Sequence, residues 1–147
     1  MADQINAWYN AEQRCFKHLV LAVKGRIGRN CFLGKLPVGV VNCWALFTGG
    51  GGGEAKVTPA GRPCNCWRIN GRIEGVFVER RSAQRVAGLI RNALPADNDT
   101  DGLTGIQLLR WTDEPEIDGD IVEIRGKEVA VWRLTYPLEI VFNNTAT

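Results

Sequence analysis

The sequence predicts an α+β domain, a mainly antiparallel sheet of about five strands with two helices packed on one face. Two kinds of periodicity carry that expectation. Ala130, Trp132, Leu134, Tyr136, Leu138, Ile140 and Phe142 alternate with more polar residues, the mark of a long strand with one buried face. Residues 3–24 and 80–94 instead repeat apolar side chains every three or four positions, as amphipathic helices do. The resulting order is helix, two strands, helix, three strands, with no internal repeat.

In the first helix the apolar stripe is Ile5, Trp8, Tyr9, Phe16, Leu19, Val20 and Val23, and Gly25 and Gly28 are expected to end it. Residues 36–47 are rich in β-branched and aromatic side chains, while Pro37 and Gly39 exclude a helix, so this segment reads as a strand buried on both faces. Five consecutive glycines, Gly49 to Gly53, open a stretch poor in apolar residues, and 48–63 is expected to be a flexible loop that orders on a partner. Residues 64–79 place Trp67, Ile69, Ile73 and Phe77 at odd positions and predict a second strand pairing back on the first, with a bend or bulge at Gly71 and Gly75.

The second helix carries Ala83, Val86, Ala87, Ile90, Ala93 and Leu94 on one stripe and stops before Pro95. A third strand is expected at 106–112. A closing hairpin follows at 120–125 and 128–142, turning at Arg125-Gly126-Lys127. Its last strand predicts Trp132 and Leu134 in the main core.

The chain has 147 residues, 45% hydrophobic and 23% charged, which suits a single domain over 1–147 and excludes disorder, collagen and coiled coil. A chain of this length buries roughly 68–70% of its unfolded surface and needs no metal or disulfide staple. No stretch reaches the ~18 apolar residues of a membrane span, and Met1-Ala2-Asp3-Gln4 lacks the features of a signal peptide, so neither membrane nor export is expected. Five cysteines, Cys15, Cys31, Cys43, Cys64 and Cys66, are an odd set that fits free thiols in a reducing compartment.

Charge is unevenly distributed. Residues 1–74 carry ten Lys/Arg and four Asp/Glu, a balance of +6, and residues 75–147 carry eight and twelve, a balance of −4. Such halves suit copies stacking head to tail or charged partners, although a basic and an acidic side also arise by chance.

The candidate chemical motifs are incomplete. Lys56 follows the glycine run, but Glu54 and Ala55 intervene where a phosphate-binding loop needs Gly-Lys-Ser/Thr at a helix start. Asp97 to Gly102 matches the first half of a calcium loop, yet its twelfth position is Leu108 rather than glutamate. Cys64 and Cys66 lack the second ligand pair of a zinc site and read as small residues on one face of a strand, and His18, the single histidine, reads as a packed or surface residue. Asp113, Glu114, Glu116, Asp118 and Asp120 cluster round Pro115 and Gly119 in what reads as a hydrated hairpin-like loop. No nucleophile stands with a base and an orienting group, so the expectation is a binding or assembly part with no catalytic, cofactor or metal site, not an enzyme. Arg80, Arg81, Arg85 and Arg91 on the second helix are the candidate interface, with a plain solvated face as the alternative.

Several segments together resemble the tail terminator, or tail completion, proteins of long-tailed bacteriophages. They are Trp67 to Gly75, the helix from Arg80, Gly105 to Arg110, and Val131-Trp132-Arg133-Leu134-Thr135-Tyr136-Pro137-Leu138-Glu139-Ile140-Val141-Phe142. The resemblance covers most of the chain in element order and length and supplies no site to transfer residue by residue. It implies a small α+β domain that assembles as a ring, typically a hexamer, on the end of the tail tube, stops tail growth and presents a head-joining surface. The implied partners are other copies of the chain, the tail tube protein and a head-completion or neck protein, with nucleic acid at most passing through the lumen. The implied place is the tail–neck junction of the virion, and the host cytoplasm during assembly. Another neck or tail component is one alternative; a small nucleic-acid-binding module using the basic first half and Arg80, Arg81 and Arg85 is the other. Because the calcium-like loop lacks its ligand at Leu108 and Cys64 and Cys66 lack a second ligand pair, excess chelator is expected to leave the melting temperature unchanged, and a large fall reversed by calcium or zinc is the contrary result.

Overall fold

The computed structural model describes residues 4–49, 54–57 and 63–143. Its elements are α1 (Gln4–Val23), β1 (Cys31–Leu33), β2 (Cys43–Thr48), β3 (Glu54–Val57), β4 (Pro63–Phe77), α2 (Arg80–Asn92), α3 (Asn98–Asp101), β5 (Ile106–Trp111), β6 (Glu116–Ile124) and β7 (Lys127–Asn143). The protein is α+β, with seven strands in one sheet and β1–β2 the single parallel pair among them.

The two longest strands, β4 and β7, form an unbroken antiparallel ladder from Cys66 opposite Asn143 to Phe77 opposite Trp132. Each long strand carries two shorter strands end to end on its other side. Along β4 these are β3 and β2, with β1 outside β2; along β7 they are β5 and β6. Pro137 sits where β7 changes neighbour, between Thr135 opposite Glu116 and Leu138 opposite Trp111. Its carbonyl accepts from Thr112 N–H at 3.1 Å on that side, so its missing N–H faces the break between β5 and β6 rather than a ladder.

Leu134, Tyr136, Leu138, Ile140 and Phe142 of β7 join Ile69, Ile73 and Phe77 of β4 and Trp44 and Leu46 of β2 in one core. Phe16 and Leu19 of α1 and Ala83, Ala87 and Ile90 of α2 complete it. Phe16 meets Trp44 edge to face at 5.9 Å between ring centres. On the other face of β7, Glu139 is 5% exposed and lies between Arg110 at 3.4 Å and Arg68 at 3.7 Å, so two cations offset the cost of burying its carboxylate.

The structure corrects several expectations. β2 begins only at Cys43, because Gly39 and Asn42 take positive φ angles of 76° and 57° and turn the preceding segment. Cys43 to Leu46 are buried on both faces as expected. β4 runs through Gly71 and Gly75 without a register shift against β2 or β7. Gly75 is needed for room instead, since a Cβ there would lie 2.5 Å from Cε2 of Phe77 and 3.2 Å from the Cys43 carbonyl oxygen. The first helix ends with Lys24, not a glycine, in the left-handed region, while Gly25 N–H bonds back to Val20. Gly25 is required because a Cβ would come within 2.1 Å of Cys31 Sγ. The loop expected at 48–63 contains β3, which pairs with β4; residues 50–53 and 58–62 lie outside the described residues, as do the side chains of Cys64 and Cys66.

Trp132 is half-buried and Ala130 exposed, because the β4 ladder stops opposite Trp132 and only β6 accompanies β7 beyond it. The β6–β7 hairpin turns through Arg125 and Gly126, both at positive φ, as a two-residue type I′ turn requires.

Leu134→Ala is expected to cost about 2–5 kcal/mol in denaturant melts. Trp132→Ala is expected to cost less than Leu134→Ala. Tyr136→Phe should not destabilise, because the buried Tyr136 hydroxyl has no hydrogen-bond partner to lose.

Candidate interaction surface

The second helix exists because Ala83, Ala87 and Ile90 recur on one face and bury there. It begins after Glu79, which stays extended and caps through its carbonyl rather than its side chain, with Ser82 N–H and Ala83 N–H donating to that oxygen. At the other end, His18 Nε2 donates to the Ala93 carbonyl at 3.1 Å, so the single histidine ties α1 to the foot of α2.

The buried stripe leaves Arg80, Arg81, Arg85 and Arg91 exposed, and their surroundings divide them into two pairs. Arg80 lies over the Trp132 ring at 5.7 Å. Arg91 lies over Trp111 at 4.6 Å and makes a two-pronged ion pair with Glu114, at 3.0 and 2.9 Å. These end arginines clamp α2 to aromatic residues of β7 and β5. Burial pushes the Tyr136 hydroxyl up from its ordinary value, with Arg91 opposing and Glu114 adding to the shift. Arg81 and Arg85, one helical turn apart, have no hydrogen bond or ion pair among the described residues.

Arg85 is also one wall of an open groove of about 380 Å³ between α2, the end of α1 and the turns before β1 and β2. Lys24, Asn30, Asn42 and Ser82 supply its other polar lining. Both asparagines spend their carbonyl oxygens on neighbouring backbone: Asn30 accepts from Arg26 N–H at 2.7 Å and Asn42 from Val78 N–H at 3.1 Å. Each therefore keeps its amide NH₂ as a donor. The turn holding Asn30 also carries exposed Arg26 and Arg29. No lining residue is acidic.

The acidic run expected in a loop is largely a strand. Glu116, Asp118 and Asp120 alternate along β6 and share one face. Asp120 pairs with Arg133 and accepts from the backbone N–H of the adjacent Ile121 at 2.8 Å. Glu116, Asp118 and Glu123 are exposed with no partner among the described residues. The Asp97–Gly102 run is a capped turn of helix: Thr100 N–H donates to Asp97 Oδ1 at 2.6 Å and Asp97 N–H to Asp101 Oδ2 at 3.0 Å. Among the described residues no three His, Cys, Asp or Glu side chains gather where they could hold a metal ion.

Cys15, Cys31 and Cys43 are buried free thiols. Burial pushes all three up, Cys31 to about 11 despite an opposing hydrogen bond from the Arg26 backbone, and Cys15 further still. None is a ready nucleophile at neutral pH.

No helix among the described residues is long and apolar enough to cross a membrane. No protein-family model and no curated protein matches the chain.

Two predictions follow from these environments. Alkylation of the native protein at pH 8 is expected to spare Cys15, Cys31 and Cys43 in peptide maps until denaturant is added. The hydrogen bond from Arg133, then that from Ile121 N–H, holds the Asp120 carboxyl below its ordinary value of 3.8. A lowered folded value contributes stability above the unfolded pKa that is lost as pH falls through the folded one. Asp120→Asn should therefore melt below the wild type at pH 7, with the gap closing in acid below about pH 4.

Proposed function

We propose that this protein is a structural component of a phage virion: it forms a ring on the end of the tail tube, stops tail growth and offers the surface on which the head is joined. The observation that carries the reading is the division of the α2 arginines. Two are consumed in holding the helix to the sheet, and Arg81 and Arg85 stand exposed beside a basic groove without partners among the described residues. The fold, a small α+β domain, is also the kind that the resemblance to tail terminator proteins implies. Its partners in this role are further copies of itself, the tail tube protein and a head-completion or neck protein, at the tail–neck junction of the virion after assembly in the host cytoplasm.

Exposed ion pairs contribute only ~0.2–1 kcal/mol each, so charge sets the orientation of such a contact while apolar burial holds it. A second reading, a nucleic-acid-binding module, draws on the same cations. Salt separates the two, because phosphate binding weakens steeply with ionic strength and a ring with an apolar contact persists.

Arg81→Glu with Arg85→Glu is expected to leave the melting temperature of the purified protein unchanged. In lysates it is expected to give tails of uncontrolled length or tails that fail to join heads, seen by electron microscopy. Normal particles from that double variant would make the pair a solvated face, and normal, joined tails after deletion of the whole protein would overturn the terminator reading.

A further inference from the structure

We infer that the basic groove beside α2 receives the acidic edge strand β6 of a second copy of this chain, head to tail. The inference rests on the ring reading above and names the two surfaces that meet.

The groove side presents cations and donors. Lys24 and Arg85 line it, Arg81 stands one turn of α2 before Arg85, and Asn30 and Asn42 offer amide N–H groups. Carboxylates are the acceptors that suit such a set. The strand side presents them on both of its faces. Glu116 and Asp118 project from the face of β6 turned away from the core, opposite Thr135 and Arg133, and Glu123 stands on the other face with Ile121; all three carboxylates are exposed and without partners among the described residues. One edge of β6 pairs with β7; its outer edge carries no strand among the described residues, so these carboxylates stand at a free margin of the sheet.

Each side also offers apolar surface. Ile121 on β6 is 62% exposed, and beside the groove Ile27 is 60% and Val78 44% exposed. Burying such residues supplies the affinity that exposed charges do not.

The two surfaces are made of different residues at different places on the molecule. The groove opens between α2, the end of α1 and the turns before β1 and β2, whereas Glu116 and Asp118 lie on β6, at the other edge of the sheet from β1 and on the face turned from the core. Complementary patches of this kind make a heterologous contact, which repeats into a closed ring or an open filament instead of a two-fold dimer. The occupant is accordingly a protein strand from the same chain rather than a nucleic acid: a complementary acidic strand is present in every copy, and Phe77, the one aromatic residue lining the groove, is 3% exposed and presents no face for base stacking.

The test is a charge swap on the full chain. One variant carries Arg81→Glu and Arg85→Glu, the other Glu116→Lys and Asp118→Lys; all four side chains are exposed, and circular dichroism melts check that both variants fold as the wild type does. Self-association is read by sedimentation velocity over a concentration series at low salt. Like charges opposed in a contact weaken it on the order of 100-fold, so each variant alone should sediment as a monomer where the wild type oligomerises. An equal mixture of the two, and a single chain carrying all four changes, should both regain the oligomer, because every contact again joins opposite signs. A wild type that oligomerises while neither variant weakens, or whose variants weaken without recovery on mixing, overturns this contact and leaves the ring reading standing. A wild type that stays monomeric both in solution and on purified tail tubes overturns the ring reading itself. A 20-nucleotide single-stranded DNA probe is titrated in parallel; if it binds the wild type and is lost on reversal of Arg81 and Arg85 while self-association is unchanged, the groove belongs to nucleic acid and the proposal fails.

Discussion

The pairing of β4 with β7 is the interaction on which the rest of the molecule depends. Its twelve register pairs join residues about 65 positions apart in the chain, and β2, β3, β5 and β6 each pair with one of these two, with β1 attached through β2. The ladder also decides where protection ends. Beyond Phe77 and Trp132 the sheet narrows to the β6–β7 hairpin, which is why Ala130 and Ile121 are exposed although both belong to regular strands. Pro137 marks the one place where β7 tolerates a residue without an N–H, the gap between two neighbouring strands. A proline that reads as a strand breaker in isolation is thus placed by the topology where it breaks nothing.

Long, strongly periodic elements were legible in the sequence because their burial pattern is their own. The run from Leu134 to Phe142 and the Ala83, Ala87 and Ile90 stripe need no knowledge of partners to be recognised. The short strands β1 and β3 carry no such pattern: three or four residues do not establish a period, and each exists because a longer strand supplies hydrogen bonds at its edge. The start of β6 was hidden for a different reason. Glu116, Ile117, Asp118 do alternate, but Pro115, Gly119 and the density of acidic residues outweighed a two-residue period. Glycine was read as conformational freedom at Gly25 and Gly75, whereas both positions are fixed by space, against Cys31 Sγ and the Phe77 ring respectively.

The candidate surface was legible as a set of four arginines and illegible as two pairs. Sequence spacing puts Arg80 and Arg91 on the exposed side of α2 with the others, but it does not reveal that Trp132 and Trp111, distant from them in sequence, stand near its two ends to receive them. The same tertiary placement brings Lys24, Asn30 and Asn42 beside Arg85, so a cluster of donors forms from four separate segments, none of which is unusual alone.

A contact built from such parts need not be strong to be decisive. The charges on each surface are exposed and screened by salt, and the apolar patches around Ile121 and Ile27 are small, so two copies in dilute solution have little to hold them together. Ring closure changes the balance. The last copy to enter makes two contacts at once, and once one is formed the second is effectively intramolecular, with a local concentration far above that of the free protein. In the proposed role, a tube end that presented several equivalent sites would have the same effect, by holding the β6 margin of each bound copy beside the groove of the next. In the proposed ring, weak, oriented, heterologous contacts are thus reinforced by closure, so the ring holds together at concentrations where a single pair of copies comes apart.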